Sequence, residues 1–259
     1  MKTIGSTIIM LALASSLFAD NGKELKLASP DGTHEIVFYQ KQVSPAVNEL
    51  CYRVDYKSQP VVNESRAGLE LDNRIWEMAL GVRNLKQPAC WMDNLEVDSV
   101  TYQPETNLTW QPLYGERSSV RDHYRAGTLC LSKKDNSGYR LNIEVRAYNE
   151  GVAFRYFFPE HPKAIFHKVV GDLTEYALPA GTKAWTEQWA QAFFERLNID
   201  DIKHPVERAL TFELPNGKWA ALADADVDDW CLTKYLVSTD KKNTLTSVMY
   251  SPVDVVTYY

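Results

Sequence analysis

Apolar and polar residues alternate in short runs along most of the chain, and turn residues separate the runs. Residues 50–56 (LCYRVDY) place an apolar or aromatic side chain at every second position, and residues 34–39 are rich in β-branched and aromatic side chains. A period of two is typical of strands with one buried face. The same pattern predicts strands at residues 128–131, 139–147, 152–158, 210–214, 219–223 and 247–259.

Glycine-bearing turns separate many of these runs. Proline presets φ and glycine accepts a positive φ in Ser29-Pro30-Asp31-Gly32, and similar turns are Asn149-Glu150-Gly151 and Pro215-Asn216-Gly217. No long segment keeps an apolar period of 3.6 residues, and residues 225–235 are the best candidate for a helical turn. We therefore predict an all-β fold, a large antiparallel β-sandwich that forms one domain over residues 20–259.

The first nineteen residues have the pattern of a signal peptide. Lys2 precedes an apolar run at residues 8–13, and small residues lead to a plausible cleavage site after Ala19. The apolar run is too short to span a bilayer, and no later run approaches that length. We expect an exported protein, periplasmic or associated with the outer membrane, and not a transmembrane one.

Charge and cysteine content narrow the possible partners. The net charge of −6, without a basic cluster, argues against a nucleic-acid partner. Four cysteines permit three disulfide pairings, although a domain of this size does not need them, and buried free thiols are the favoured interpretation. They are Cys51, Cys90, Cys130 and Cys231.

A block of alternating charges lies at residues 112–122 (PLYGERSSVRD). Its charged residues are Glu116, Arg117, Arg121 and Asp122. We expect them to form ion pairs that hold a loop between strands, and we expect Arg146 or Arg155 to reach Asp122 or Glu116. The alternative is that these groups line a surface that faces sugars.

Residues 183–201 are the strongest candidate for a binding site. Trp185 and Trp189, with Phe193 and Phe194, surround the acids Glu187 and Glu195 in what we predict to be a loop. Aromatic faces stack on sugars, and a carboxylate among them can accept hydroxyls or bind a hard cation. The alternative is a loop whose rings plug one end of the sandwich.

Several ordered blocks resemble the N-terminal domain of glycoside hydrolase family 97. The resemblance covers essentially the whole chain after the signal peptide, and ordered blocks are more specific than one motif. The blocks are SPDG at 29–32, GLEL at 68–71, YGERS at 114–118, VRD at 120–122, RAYN at 146–149, GVAFRY at 151–156, KAW at 183–185 and LPNG at 214–217.

This resemblance implies that the domain precedes a catalytic (β/α)8 barrel in calcium-dependent α-glucosidases and α-galactosidases that act on α-linked oligosaccharides. The barrel is absent from this sequence, so no residue is assigned as catalytic. The family places one calcium-binding glutamate of this domain after an aromatic residue. Glu195, after Phe194, matches that position, and Glu187 is the second choice. The implied cofactor is calcium, bound only together with the barrel.

Two other functions remain open. A free-standing carbohydrate-binding protein would use Trp185 and Trp189 to contact sugars. A sugar epimerase is the third possibility, because the sandwich is similar to the galactose mutarotase fold. That chemistry needs a general acid and base facing one sugar, and none of the five histidines lies in a pattern that recommends it.

Overall fold

The structure is a computed structural model that describes residues 23–72, 78–79, 93–134, 138–161, 167–225, 227 and 230–250. Within these residues the named elements are eighteen strands and one short 3₁₀ helix, Ile199–Asp201. The strands form several antiparallel sheets, so the predicted all-β fold is confirmed. No helix in the described part of the chain is long and apolar enough to cross a bilayer.

Two large sheets form the first half of the molecule. The first is a four-stranded meander, β1 (Glu24–Ala28), β2 (His34–Ser44), β3 (Val47–Tyr56) and β4 (Gln59–Arg66). The second has the order β10-β9-β8-β6, with β7 also paired to β8. Its strands are β6 (Leu95–Tyr102), β7 (Thr106–Trp110), β8 (Val120–Lys133), β9 (Arg140–Tyr148) and β10 (Gly151–Phe157).

Three smaller sheets complete the fold. β5 (Leu69–Leu71) pairs with β11 (Val169–Asp172). A three-stranded sheet has the order β12 (Glu175–Ala177), β18 (Thr244–Tyr250), β17 (Leu232–Val237). A four-stranded sheet has the order β14 (Glu195–Asn198), β13 (Lys183–Thr186), β15 (Leu210–Glu213), β16 (Trp219–Leu222).

The core lies between the sheets and follows the alternation of the sequence. Phe38 on β2 stacks on Tyr52 of β3, with ring centroids 5.3 Å apart, and meets Phe154 of β10 edge-on at 5.1 Å. Leu129 and Ile143 of the second sheet are completely buried in the same cluster. The first two sheets therefore pack face to face, as in a sandwich.

Most predicted strands coincide with observed ones. Residues 128–131 lie inside β8, and the runs starting at 139, 152, 210 and 219 fall on β9, β10, β15 and β16. The last predicted strand is observed as β18, and its residues 251–259 lie outside the described ones.

The helical turn predicted at residues 225–235 is wrong where the structure describes the chain. Residues from Leu232 onward form β17, which pairs along its length with β18. Thr233 and Tyr235 are buried at 2% and 1% exposure, whereas Leu232 is exposed. This period of two is that of a strand, and pairing with β18 decides the outcome.

The expected ion pairs of the charged block are also wrong. Arg121 donates from Nε to Asn107 Oδ1 at 3.0 Å, a contact between the neighbouring strands β8 and β7. Among the described residues, neither Glu116 nor Arg117 forms an ion pair, and both are exposed. The block is therefore a solvated loop followed by the start of a strand.

Arg146 and Arg155 find partners within their own sheet. The Arg155 Nε lies 2.7 Å from Glu144 Oε2, because the register places these two residues directly opposite each other. The Arg146 guanidinium lies over the Tyr124 ring, 4.5 Å from its centroid. Cross-strand geometry thus satisfies both arginines locally.

Cys51, Cys130 and Cys231 are free thiols, and Cys90 lies outside the described residues. Cys51 on β3 is buried, and this burial raises the pKa of its thiol to about 11. A thiol in such surroundings behaves as a small apolar side chain.

Candidate functional site

The segment predicted as a loop at residues 183–201 is a β-hairpin for most of its length. β13 and β14 pair with Trp185 opposite Arg196 and Thr186 opposite Glu195. Only residues 187–194 connect the strands without strand structure. Buried and exposed residues alternate in β13, as in a strand, but the high aromatic content of the segment hides this pattern in the sequence.

The hairpin register divides the candidate residues between two faces of the sheet. Ala184 and Thr186 are buried at 0% and 3% exposure, whereas Trp185 is 38% exposed. Directly opposite residues share a face, and successive residues alternate. Trp185 therefore shares the outer face with Arg196, while Glu195 lies on the face of Thr186.

A second tryptophan joins Trp185 on the outer face. Trp219 of β16 lies with its ring 6.5 Å from that of Trp185 at an interplanar angle of 21°, and it is 56% exposed. Between them β15 carries Glu213, which forms an ion pair with Arg196. We call Trp185, Trp219, Arg196 and Glu213 the tryptophan face.

Trp219 was not singled out from the sequence as a binding residue. Its signal is a large apolar side chain two residues after the Asn216-Gly217 turn, at the start of a strand. Sequence cannot show that β15 brings it next to Trp185, because that depends on which strands pair.

The connection between the hairpin strands exposes three further aromatic residues. Trp189 is 54%, Phe194 66% and Phe193 93% exposed. These three rings therefore do not plug one end of the sandwich, as the alternative interpretation of the segment expected. Exposed aromatic clusters of this kind mark interaction sites. We call residues 187–194 the hairpin loop.

The two candidate calcium ligands have different surroundings. Glu187 is half-buried, and its backbone carbonyl accepts the Glu207 N–H at 2.8 Å. Glu195 is exposed, its backbone carbonyl accepts the Thr186 hydroxyl at 3.1 Å, and its carboxylate has no hydrogen bond or ion pair with a described residue.

No group of three or more metal-binding side chains occurs in the described ranges. Calcium takes six to eight oxygen ligands. A free, exposed carboxylate such as that of Glu195 fits the role of one ligand, provided that the remaining oxygens come from another domain.

A separate cleft of about 1280 Å³ opens between the sheets. Its walls come from β3, β10, β16 and β17, among other strands. Asp224, on its lining, forms an ion pair with Arg208 at 2.7 Å. The cleft was not predicted from the sequence.

A chain of hydrogen bonds runs along one wall of this cleft. The Gly68 N–H donates to the Tyr156 hydroxyl at 2.8 Å, which lies 2.7 Å from Thr174 Oγ1. The Thr174 hydroxyl and N–H donate to Asp172 Oδ1 at 2.6 and 2.9 Å. Burial raises the pKa of the Asp172 carboxyl, and these two hydrogen bonds offset the effect only in part.

The histidines bear on the epimerase interpretation. His34 and His167 line the cleft, and burial against Phe158 lowers the pKa of His167 to about 4. His123 instead contacts Glu105 at 2.7 Å. Epimerase activity stays a prediction.

The chain matches a known family of domains. The family model described as "Glycosyl-hydrolase 97 N-terminal" matches residues 27–253. The chain therefore belongs to the family of N-terminal domains of glycoside hydrolase family 97, as the sequence motifs predicted.

Individual relatives agree with this family. The chain is 23% identical over 263 residues to a retaining alpha-galactosidase of Bacteroides thetaiotaomicron, covering 95% of this chain and 35% of that one. It is also similar in fold to a family 97 enzyme of Pseudoalteromonas sp. strain K8, solved with panose and with acarbose (TM-score 0.73, 22% identity, 87% of this chain and 32% of that chain). A beta-arabinopyranosidase gives a TM-score of 0.71 at 16% identity, over 88% of this chain and 35% of that chain. The chain spans about a third of the length of these relatives.

Proposed function

We propose that this chain serves as the N-terminal domain of an exported, calcium-dependent α-glycosidase and completes the active site of a catalytic barrel. The family match over residues 27–253 and the coverage of about a third of each relative support this role. The relatives include an α-galactosidase and an enzyme solved with panose and acarbose, so the proposed substrates are α-linked oligosaccharides. Catalysis itself is assigned to carboxylates of the barrel.

The observation that carries the proposal is the exposure of the hairpin loop beside a free carboxylate. Phe193 and Phe194 lie immediately before Glu195, and both rings are mostly exposed. Burying one such ring against another domain contributes about 1.5–3 kcal/mol. A docked barrel would cover the rings and receive the Glu195 carboxylate at the same contact.

Glu195 is the proposed calcium ligand, with Glu187 as the alternative. No ion pair with a described residue has to break before the Glu195 carboxylate binds a cation. Calcium would add the positive charge that this carboxylate lacks within the domain. One carboxylate alone binds calcium weakly, so measurable affinity requires the barrel.

Calorimetric calcium titration of this chain fused to the catalytic domain of a family 97 enzyme tests the assignment. We expect Glu195→Gln to weaken calcium binding by about tenfold or more, as loss of a charged ligand does. Glu187→Gln is the matched control and should leave the affinity within about twofold. A larger effect of the Glu187 variant would transfer the role to that residue, and no effect of either would refute it.

Docking is tested separately from calcium. In a mixture of the two separate domains, Phe193→Ser with Phe194→Ser should weaken association by about tenfold or more, since two exposed rings no longer become buried. Unchanged association, measured by analytical ultracentrifugation, would show that the hairpin loop does not contact the barrel.

Direct carbohydrate binding is a second candidate function, and the tryptophan face favours it. Trp185 and Trp219 present nearly parallel, exposed rings, and Arg196 and Glu213 supply hydrogen-bonding groups beside them. Such a surface suits the apolar faces and hydroxyls of a sugar chain.

Titration with maltooligosaccharides tests this second function. Trp185→Ala and Trp219→Ala should each weaken binding by about tenfold, while Trp189→Ala, in the hairpin loop, should not. If only the Trp189 variant loses affinity, the loop rather than the face is the sugar site. Absence of heat at millimolar maltooligosaccharide would reject carbohydrate binding at the tryptophan face.

A further inference from the structure

We propose that the cleft between the sheets is a separate binding site for a small, neutral, polyhydroxylated molecule such as a monosaccharide, held by Asp172, Tyr176 and Tyr235. This site does not depend on the proposed role of the hairpin loop, and of the tryptophan face only Trp219 also lines the cleft. All three residues line the cleft.

The cleft is large enough to hold a small ligand, and it has the lining of a ligand site. Its volume of about 1280 Å³ is above the range of roughly 300–1,000 Å³ that small-molecule sites occupy. Apolar side chains such as Val54, Phe154 and Trp230 form much of the wall, and a few polar groups lie among them. This combination of apolar walls and few polar groups is characteristic of such sites.

Asp172 carries an oxygen without a partner. Its Oδ1 accepts both hydrogen bonds from Thr174, whereas Oδ2 has no hydrogen bond with a described residue and is not sealed from solvent. No described lysine, arginine or histidine lies within ion-pair distance of this carboxyl, which is half-buried. Withdrawing a carboxyl from water without a positively charged partner lowers the stability of the fold.

Two tyrosine hydroxyls likewise have no hydrogen-bond partner among the described residues. Tyr176 and Tyr235 meet edge-on with ring centroids 5.5 Å apart, and neither hydroxyl forms a hydrogen bond with a described residue or is sealed in the core. Tyr235 makes its hydrogen bonds through the backbone, to Val206. Buried tyrosine hydroxyls usually have a partner.

Ser247 lies close to Asp172 and Tyr176. Burial raises the pKa of both Asp172 and Tyr176, and the nearby Ser247 hydroxyl offsets this only in part. That buried hydroxyl does not meet hydrogen-bond geometry with any described residue. Polar groups on β11, β12, β17 and β18 thus converge without satisfying one another.

The chemistry of these groups selects the ligand class. A sugar hydroxyl can donate to the Asp172 carboxyl and accept from a phenol, which uses both kinds of free capacity. Asp172 and Asp224 disfavour an anionic ligand, and the nearby Arg208 is already paired with Asp224. Aromatic rings along the wall suit the C–H faces of a sugar ring.

Ligand-observed NMR titrations of the whole chain provide the test, with glucose, galactose and arabinose as neutral probes and glucosamine as a cationic one. We expect a neutral sugar to bind with a Kd on the order of 1–10 mM, as a small ligand with few hydrogen bonds does. Asp172→Asn should weaken binding by about tenfold and Tyr235→Phe by roughly threefold to fivefold. Trp185→Ala does not alter the cleft lining and should leave the affinity unchanged.

Asp172→Asn keeps the size of the side chain and an acceptor for Thr174, so it should fold, and a thermal melt checks this. If it fails to fold, the Tyr235→Phe and Tyr176→Phe variants carry the test. Unaltered affinity in the folded cleft variants, or no binding by any neutral sugar at about ten times the expected Kd, would overturn the proposal. Loss of affinity in Trp185→Ala alone would assign the binding to the tryptophan face, and about tenfold preference for glucosamine would replace the neutral class by a cationic one.

Discussion

Replacing Tyr156 with phenylalanine removes one hydroxyl that links the wall of the cleft to the first half of the fold. This hydroxyl accepts the Gly68 N–H at 2.8 Å and lies 2.7 Å from Thr174 Oγ1. Because the Thr174 hydroxyl donates to Asp172, the Tyr156 hydroxyl donates to Thr174. Burial raises the pKa of Tyr156 well above its usual range, in keeping with a hydroxyl withdrawn from water.

The expected loss of stability follows from what each partner is left with. Gly68 is buried, so its N–H keeps no acceptor, at a cost of about 1–3 kcal/mol. Loss of the hydrogen bond to Thr174 adds about 1 kcal/mol. We expect Tyr156→Phe to lower the free energy of unfolding by about 2–4 kcal/mol.

Tyr52→Phe is the matched control. The Tyr52 hydroxyl donates to the Glu175 carbonyl at 2.6 Å, so its removal ends one hydrogen bond and leaves only an acceptor without that donor. The expected loss is about 1 kcal/mol, because unpaired carbonyls are tolerated better than unpaired N–H groups.

Urea denaturation of the wild type and both variants, followed by circular dichroism, measures the two losses. The slope against urea should stay the same, so that the midpoints report stability. Equal losses in the two variants, or a loss below about 0.5 kcal/mol for Tyr156→Phe, would refute the reasoning about the orphaned Gly68 N–H.

Three further predictions use other parts of the fold. Gly138→Ala should lower the free energy of unfolding by about 1–2 kcal/mol, because φ is +81° and the new Cβ would lie 3.0 Å from His161 Nε2; Gly151→Ala, with open space around it, should lose less in the same urea titration. Burial lowers the pKa of His167 to about 4, below the 6.5 of the unfolded chain, so the stability present above pH 6.5 is lost as pH falls through 4. Urea denaturation of His167→Gln should therefore show a loss of free energy of unfolding on acidification that is about 2 kcal/mol smaller than that of the wild type, because the partly exposed ring contributes less than full burial would. Cys51 should resist iodoacetamide at pH 8 until urea unfolds the chain, and rapid labelling of this residue in the native protein, seen by peptide mass mapping, would contradict its raised pKa of about 11.

Local sequence patterns predict the strands and the pairing of strands that a short turn joins, but not the pairing of strands that are distant in sequence. Alternation in residues 139–147 and 152–158 is a property of each run, and the glycine turn between them specifies their pairing as β9 and β10. The prediction at residues 225–235 was wrong because the burial of Tyr235 depends on β18, which is a separate run of sequence.

The candidate sites depend even more on distant pairing. Trp185 and Glu195 were recognised from local composition, whereas Trp219 joins Trp185 only through the intervening strand β15. Asp172 and Tyr235 reach one cleft from β11 and β17. No local spacing predicts this convergence, because sheet order and the gap between sheets arise from tertiary packing.

The register of the β13–β14 hairpin also limits how its residues act together. Trp185 faces outward with Arg196, and Glu195 shares the opposite face with Thr186, so the ring and the carboxylate do not contact the same ligand atoms. In the fusion with a catalytic domain, Glu195→Gln should therefore weaken calcium binding without changing maltooligosaccharide binding at the tryptophan face. Trp185→Ala should have the reverse effect, since sites with no shared partner act independently. If either variant altered both affinities by about tenfold, calorimetry would show that the two faces form one site, and the separation inferred from the register would be wrong.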